Sequence, residues 1–293
     1  MGLKVLAFGE ILWDVIEGVP SIGGAPLNFA AHIRQLGGTS SLLSAVGRDE
    51  LGDRAVAFLD SWGVDTGLVQ RNGKPTGEVP VSLKGGIPSY EILTDRAWDA
   101  IAVDDRVLEQ AGAGQWDVLY YGSLAQRTGT NREGLSRLRK ALKFDHVFFD
   151  VNLRQNWFSR EVLEDSLRGC TILKLNDEEV PVVSELVFRR VLSDGEFSRK
   201  VRKDFEVGLT VITRGEKGAG LYRGEEVLNL TPPKVKAVDT VGAGDSFSAA
   251  FLYSYCLHGD LLRAGQTALA VAAHVVTHPG AVAPYPAELK KLL

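Results

Sequence analysis

The sequence predicts an α/β fold: a mostly parallel central sheet, helices on both faces and a small separate β-layer. Three observations predict it. Short apolar runs recur along the chain and end in Gly, Asp or Asn. Amphipathic stretches of helical period lie between them, and one region, residues 76–99, breaks that alternation with a period of two.

Buried strands are read at 4–9 (KVLAFG), 41–47 (SLLSAVG), 117–122 (DVLYYG), 146–150 (HVFFD), 171–176 (TILKLN) and 209–215 (LTVITRG). The stretch 25–37 reads as a helix with Leu27, Ala30, Ala31 and Ile33 turned to a core. In 132–143, Leu135, Leu138 and Leu142 share one helical face. Strands separated by helices can pair in parallel, and parallel sheets are covered on both faces. From Thr76 to Asp99, alternation around the Gly85-Gly86 pair predicts a strand, a tight turn and a second strand. The alternating segment 9–16 is expected to join that layer. The expectation is one domain over 1–293 with a β lid from about 9–20 and 76–99, since no linker, repeat or low-complexity stretch divides the chain.

Composition narrows the function. Of 293 residues, 45% are hydrophobic and 24% charged, ordinary for a globular protein with a sizeable core. Net charge is −4 and no basic block occurs, which argues against nucleic-acid or membrane-surface partners. Cys170 and Cys256 are far apart, with no neighbouring Cys or His at metal-ligand spacing. Glu10 and Asp14 interrupt the N-terminal apolar run too early for a secretory leader, and a cytoplasmic protein is expected.

The stretch DTVGAGDSF (239–247) carries chemistry. Gly242, Ala243 and Gly244 form a turn almost bare of side chains, Asp245 follows, and a helix begins. At a helix start, unpaired backbone N–H groups favour anions, so such a turn suits a phosphate and the charge that moves during its transfer. Asp245 then suits a base that accepts a proton from an attacking hydroxyl. A capping carboxylate beside a glycine turn meets the same pattern.

The segment 238–252, VDTVGAGDSFSAAFL, resembles the C-terminal signature of the ribokinase-like, or PfkB-type, carbohydrate kinases. GGAPLNFAAHIRQLG (23–37) resembles the N-terminal signature of that family. DVNLR (150–154), Asn176 to Glu179 and VITRGEKGA (211–219) match between them, so the resemblance spans nearly the whole chain. It implies the three-layer ribokinase-like fold, a catalytic Asp245 with the Gly242-Ala243-Gly244 turn, and ATP with Mg²⁺. It implies that Asp14, Gly23, Gly24 and Asn28 bind the sugar and that Tyr90 and Trp98 of the lid stack on or shield it. Arg154 would reach the transferring phosphate or a substrate oxygen. Asn176, Thr213, Gly215 and Gly218 would lie along the nucleotide, with His274 at the core or the purine edge. Glu179 would act on Mg²⁺ through water, and Asp239, Thr240 and Gly280 would frame a monovalent cation such as K⁺. A homodimer paired through the lids is the assembly it implies.

Ala25-Pro26 after the di-glycine resembles fructokinases, where ribokinases usually carry Lys-Gly. ATP-dependent phosphorylation of D-fructose at its 6-hydroxyl is therefore the expected reaction, with no basic cluster near Gly23 to hold a phosphosugar. A kinase for 2-keto-3-deoxygluconate or another free sugar is the nearest rival; a nucleoside kinase and an inactive sugar sensor are others. A dinucleotide-dependent dehydrogenase lacks its G-x-G-x-x-G turn, since GEILWDV follows the first strand. The short link 15–22 departs from relatives with a longer connection and bears on the sugar pocket.

Overall fold

Alternation along the first strand sets up two cores. In β1 (Lys4–Phe8), Val5 and Ala7 face one layer while Leu6 and Phe8 face the other. The computed structural model describes residues 2–84 and 87–290.

The remaining strands are β2 (Leu12–Ile16), β3 (Val19–Gly23), β4 (Thr39–Val46), β5 (Val69–Arg71), β6 (Gly77–Lys84), β7 (Ile87–Tyr90), β8 (Val118–Gly122), β9 (His146–Asp150), β10 (Ile172–Asn176), β11 (Leu209–Thr213), β12 (Ala219–Arg223) and β13 (Glu226–Leu230). The helices are α1 (Ala25–Gln35), α2 (Glu50–Ser61), α3 (Asp105–Gly112), α4 (Gly129–Ala141), α5 (Arg160–Leu167), α6 (Glu179–Phe188), α7 (Asp194–Phe205), α8 (Ala243–His258), α9 (Leu261–Val275) and α10 (Ala287–Lys290).

Nine strands form the central sheet in the order β13-β12-β11-β10-β9-β8-β1-β4-β5. All neighbours from β11 to β5 run parallel, and β12 and β13 close one edge antiparallel. Helices α1, α2, α8 and α9 cover one face, and α3 to α7 cover the other. This is the three-layer α/β arrangement that the apolar runs foreshadow. The pieces without a clear sequence signal are β5, three residues long, and the β12–β13 hairpin, where Arg223, Glu225 and Glu226 dilute the apolar pattern. No helix among the described residues is long and apolar enough to cross a membrane.

From β1 the body continues to β4 on one side, while β8 to β11 step away on the other. That reversal opens a crevice at the carboxyl ends of the strands. Over it lies a four-stranded sheet, β3-β2-β6-β7, with β2 antiparallel to β3 and parallel to β6. The expected tight turn at Gly85-Gly86 lies outside the described residues. This sheet takes in β3 up to Gly23 and stops at Tyr90, short of the expected boundary at 99.

Beyond Tyr90 the chain returns to the body. Asp95 adopts a left-handed φ of 58° and residues 97–100 form a 3₁₀ turn. Trp98 is only 1% exposed, packed with Leu12, Val79, Ile92 and Leu124. The Arg127 guanidinium covers its ring at 3.9 Å. Its ring is therefore sealed where the lid meets the body, which corrects the expectation that it stacks on a sugar: so large an apolar surface is better satisfied by packing. Arg127 also makes two 2.7 Å bonds to Asp99, and both side chains are buried. Removing one member of such a pair strands the other charge. Asp99→Ala should lower the unfolding free energy by about 3–5 kcal/mol, measured as an earlier urea midpoint; a loss below about 1 kcal/mol would show that the pair is not balanced as described.

Candidate active site

Helix α8 starts at the crevice. Gly242 takes a left-handed φ of 75°, and an added Cβ there would meet the Ala281 carbonyl oxygen at 2.4 Å. Among the described residues no side chain caps this helix start, which leaves it open to an anion, although Ala243 N already donates to the Thr240 carbonyl at 3.3 Å. Asp245 stands in the first turn, half-buried, and its Oδ2 accepts a 2.8 Å bond from Asn28 Nδ2. Asn28 lies in the first turns of α1, which begins at Gly24 with φ 115°; a Cβ on Gly24 would strike the Glu10 carbonyl oxygen at 2.5 Å. Two helix N-termini thus converge on one carboxylate. Loss of hydration raises Asp245 to about 6; the Asn28 bond and the Lys174 and Arg154 charges pull it down, while Asp150 pushes it up.

Beneath the turn is a buried polar group that the sequence reading did not assign to the site. Lys174 Nζ donates to both Asp150 oxygens, at 3.0 and 3.3 Å, and would lie 3.3 Å from a Cβ on Gly244. Asp150 Oδ2 also accepts from Ser248 Oγ at 2.9 Å and the Tyr120 hydroxyl at 3.2 Å. Burial is the largest influence and alone would lower the Lys174 pKa, but the charge and hydrogen bond of Asp150, with the charges of Glu179 and Asp245, together outweigh it and the net shift is upward. Lys174 therefore stays a cation behind the turn. The available signal was a lysine inside the apolar run ILKLN.

The opposite wall carries carboxylates. Glu10, just after β1, is 3% exposed, and its Oε2 has no partner among the described residues; neither has Asn28 Oδ1. Desolvation raises Glu10 to about 7, against its own backbone N–H and the Arg154 charge, with Asp245 pushing the same way as burial. Asp14 on β2 is half-buried, its pKa raised by burial and drawn back by Arg154. A Cβ on Gly23 would sit 3.2 Å from Asp14 Oδ2, so a larger residue there would displace that carboxylate by a few tenths of an ångström. Arg154 is exposed on the loop after β9 and bonds the Leu153 carbonyl at 3.1 Å. The same loop touches the lid, where Gln155 Nε2 donates to the Tyr90 carbonyl at 2.8 Å. The Tyr90 side chain is 57% exposed.

Along the sheet, Asn176 and Thr213 end their strands in register with each other. Asn176 Oδ1 accepts from Glu178 N and Glu179 N, while Glu179 Oε2 accepts from Asn176 N at 2.8 Å. Glu179 Oε1 accepts from Leu153 N at 2.7 Å and so anchors the loop carrying Arg154. The pair acts as a reciprocal helix cap. Burial raises Glu179, and both its oxygens are engaged, which fits a metal held through its water shell better than direct ligation. Among the described residues no three His, Cys, Asp or Glu cluster as a metal cage. Gly215 (φ 53°) is open, while a Cβ on Gly218 (φ 94°) would overlap the Leu230 carbonyl oxygen. Asp239 Oδ2 accepts from Gly280 N at 2.9 Å and Oδ1 from Val241 N at 3.0 Å, so the segments 239–241 and 280 meet, and Thr240 O accepts from Ala243 N. His274 is half-buried and bonds the Pro284 carbonyl at 2.9 Å.

The Glu10 environment has a thermodynamic sign. Its pKa is higher folded (about 7) than unfolded (4.5), so its stabilising proton is fully held below 4.5 and lost as pH rises through 7. Glu10→Gln should then be more stable than the parent at pH 8, by about 1–3 kcal/mol, with little gain at pH 5. Thermal melts at the two pH values test this, and an equal shift at both would contradict it.

Known proteins share this arrangement. The chain matches the description "pfkB family carbohydrate kinase" over residues 4–288. It is 35% identical to a putative sugar kinase of Pyrococcus horikoshii, covering 92% of this chain and 88% of that protein. The structure of that kinase in complex with ATP superposes with a TM-score of 0.82 at 30% identity, covering 99% of this chain and 100% of the other. Escherichia coli fructokinase is 30% identical over 86% of this chain and 84% of its own length. A 5-dehydro-2-deoxygluconokinase of Clostridium botulinum is 26% identical, over 87% and 78% respectively. With the bare turn, its carboxylate and the whole length of the fold accounted for in this way, the chain belongs to the pfkB family of carbohydrate kinases.

Proposed function

We propose that this sugar kinase transfers the γ-phosphoryl group of ATP to the primary hydroxyl of a free sugar, with D-fructose giving fructose 6-phosphate as the leading reaction. The observation that carries the reading is Asp245, half-buried between two helix N-termini and beside an uncapped turn. Asp245 accepts the proton of the acceptor hydroxyl as its oxygen bonds the γ-phosphorus and the bond to ADP breaks. The N–H groups of the Gly242–Gly244 turn hold the phosphoryl oxygens, and Lys174 adds fixed positive charge behind them. Glu179 and Asn176 would hold magnesium through water; when bound, the ion offsets negative charge on the phosphates. Asp239 and Gly280 would frame a monovalent cation.

The acceptor side favours a neutral polyol. Glu10, Asp14 and Asp245 share the field of one exposed cation, Arg154. An anionic sugar would have to overcome that excess of carboxylates. A sugar acid, such as 2-keto-3-deoxygluconate or 5-dehydro-2-deoxygluconate, is the second reading, and exposed Arg154, bonded only to a carbonyl among the described residues, favours it. Exposed Ile16 and Val19 on the lid support a pairing of two copies through that sheet.

A coupled ADP-release assay over free sugars, sugar acids, phosphosugars and nucleosides should rank fructose first. Higher kcat/KM for a sugar acid would transfer the assignment to the second reading. Asp245→Asn should lower kcat by about 10²–10⁴-fold with nucleotide affinity retained; near-normal turnover would remove Asp245 as the base. Because Asp245 of the free protein is raised to about 6 and must be ionised, kcat/KM should fall about tenfold per pH unit below 6. A kcat/KM independent of pH between 5 and 8 would contradict that assignment.

A further inference from the structure

Helix α1 carries a polar stripe on a buried face. Asn28, His32 and Gln35 recur at i, i+4 and i+7, and each bonds a segment far away in sequence. Asn28 holds Asp245. His32, fully buried, places Nε2 3.0 Å from the Ala281 carbonyl oxygen, and its Nδ1 meets the Tyr285 hydroxyl. Gln35 donates to the Ala283 carbonyl at 3.1 Å and accepts from Tyr285 N at 3.0 Å.

The partners fix the His32 tautomer. A carbonyl only accepts, so Nε2 carries the ring proton, and Nδ1 accepts from the Tyr285 hydroxyl. Burial lowers His32 to about 4, which keeps the ring neutral at ordinary pH. The Tyr285 ring lies nearly parallel to the imidazole, 8° apart with centroids at 5.6 Å. The ring thus has one orientation, and it specifies where one carbonyl sits.

That carbonyl backs the phosphate turn: Ala281 O is the atom a Cβ on Gly242 would strike at 2.4 Å. The contacts close a circuit. Asn28 holds Asp245, Asp245 follows the Gly242 turn, Gly242 rests against Ala281, and Ala281 hangs from His32, one helical turn past Asn28. We infer that His32 is a positioning residue for phosphoryl transfer: through Ala281 it sets the spacing between the donors of the Gly242–Gly244 turn and the Asp245 carboxylate. This rests on the proposed role of that turn. An apolar side chain would fill the same space, but only a side chain that offers both a donor and an acceptor can hold both the carbonyl and the Tyr285 hydroxyl. The segment so held also carries Gly280, tied to Asp239.

The test is steady-state kinetics on His32→Leu and His32→Gln, with fructose or the best sugar of the panel, on protein shown to be folded by circular dichroism. His32→Leu removes both bonds and should lower kcat about 10–100-fold, as expected for a small misplacement of reacting groups, while sugar KM changes less than about threefold. His32→Gln can still donate to Ala281 O and should recover most of that loss. Unchanged kcat in folded His32→Leu, or a loss in His32→Gln as large as in His32→Leu, would overturn the inference. If His32→Leu does not fold, Tyr285→Phe, which deletes one hydroxyl, takes its place. It should lower kcat at least about threefold at constant sugar KM, and an unchanged kcat would overturn the inference equally. Asp245→Asn in the same assay separates the two ideas: an active Asp245→Asn defeats the reading of the site, whereas an inactive one beside a normal His32 variant defeats only the positioning role.

Discussion

One hydrogen bond, from Asn28 to Asp245, joins the starts of α1 and α8 across 217 residues of sequence. Everything proposed for the site depends on that junction. A carboxylate drawn from water into protein is unstable unless other charges or donors replace its hydration. Here two helix N-termini, one amide and two cations replace part of it, and Asp150 works against them. The balance leaves a carboxyl near 6, ionised at neutral pH yet basic enough to take a proton in transit.

The layer beneath explains why the balance holds. Lys174 and Asp150 are a buried ion pair, costly to desolvate, and the Ser248 and Tyr120 hydroxyls satisfy Asp150 further. The pair sits where β9 ends beside the middle of β10 and where α8 brings Gly244 close to the lysine. Any side chain at Gly244 would crowd Nζ, which is a packing reason for glycine there in addition to phosphate access. Glu179 reinforces the same corner by holding Leu153 N and Asn176 N, so the Arg154 loop and the end of β10 move as one. Above them the lid is fixed to the body by Trp98, Arg127 and Asp99.

Much of this was legible in the chain. The apolar runs located the parallel strands because strands buried on both faces need continuous hydrophobicity. The bare turn located α8 because few residues tolerate φ 75° against a neighbouring carbonyl. Other features left weaker marks. Trp98 in a lid-like segment resembled a ligand-facing aromatic; its burial depends on Arg127, twenty-nine residues on, which periodicity cannot reveal. Lys174 and Asp150 each ended or interrupted an apolar run, but only the register of β9 beside β10 makes them a pair. Glu10 follows a strand like many surface residues, and its burial arises from α1 closing over it. The His32 contacts are invisible in sequence because two of the three groups joined are backbone atoms or lie about 250 positions away.

The central claim is that a single bend and its adjoining acid bring together the two reacting ends. A crystal structure with a non-hydrolysable ATP analogue and fructose measures this directly. The account requires the 6-hydroxyl oxygen within about 3.2 Å of an Asp245 carboxylate oxygen and the γ-phosphoryl oxygens on the N–H groups of the Gly242–Gly244 turn. A sugar hydroxyl or a γ-phosphate bound well away from that turn, with both ligands fully occupied, would contradict it.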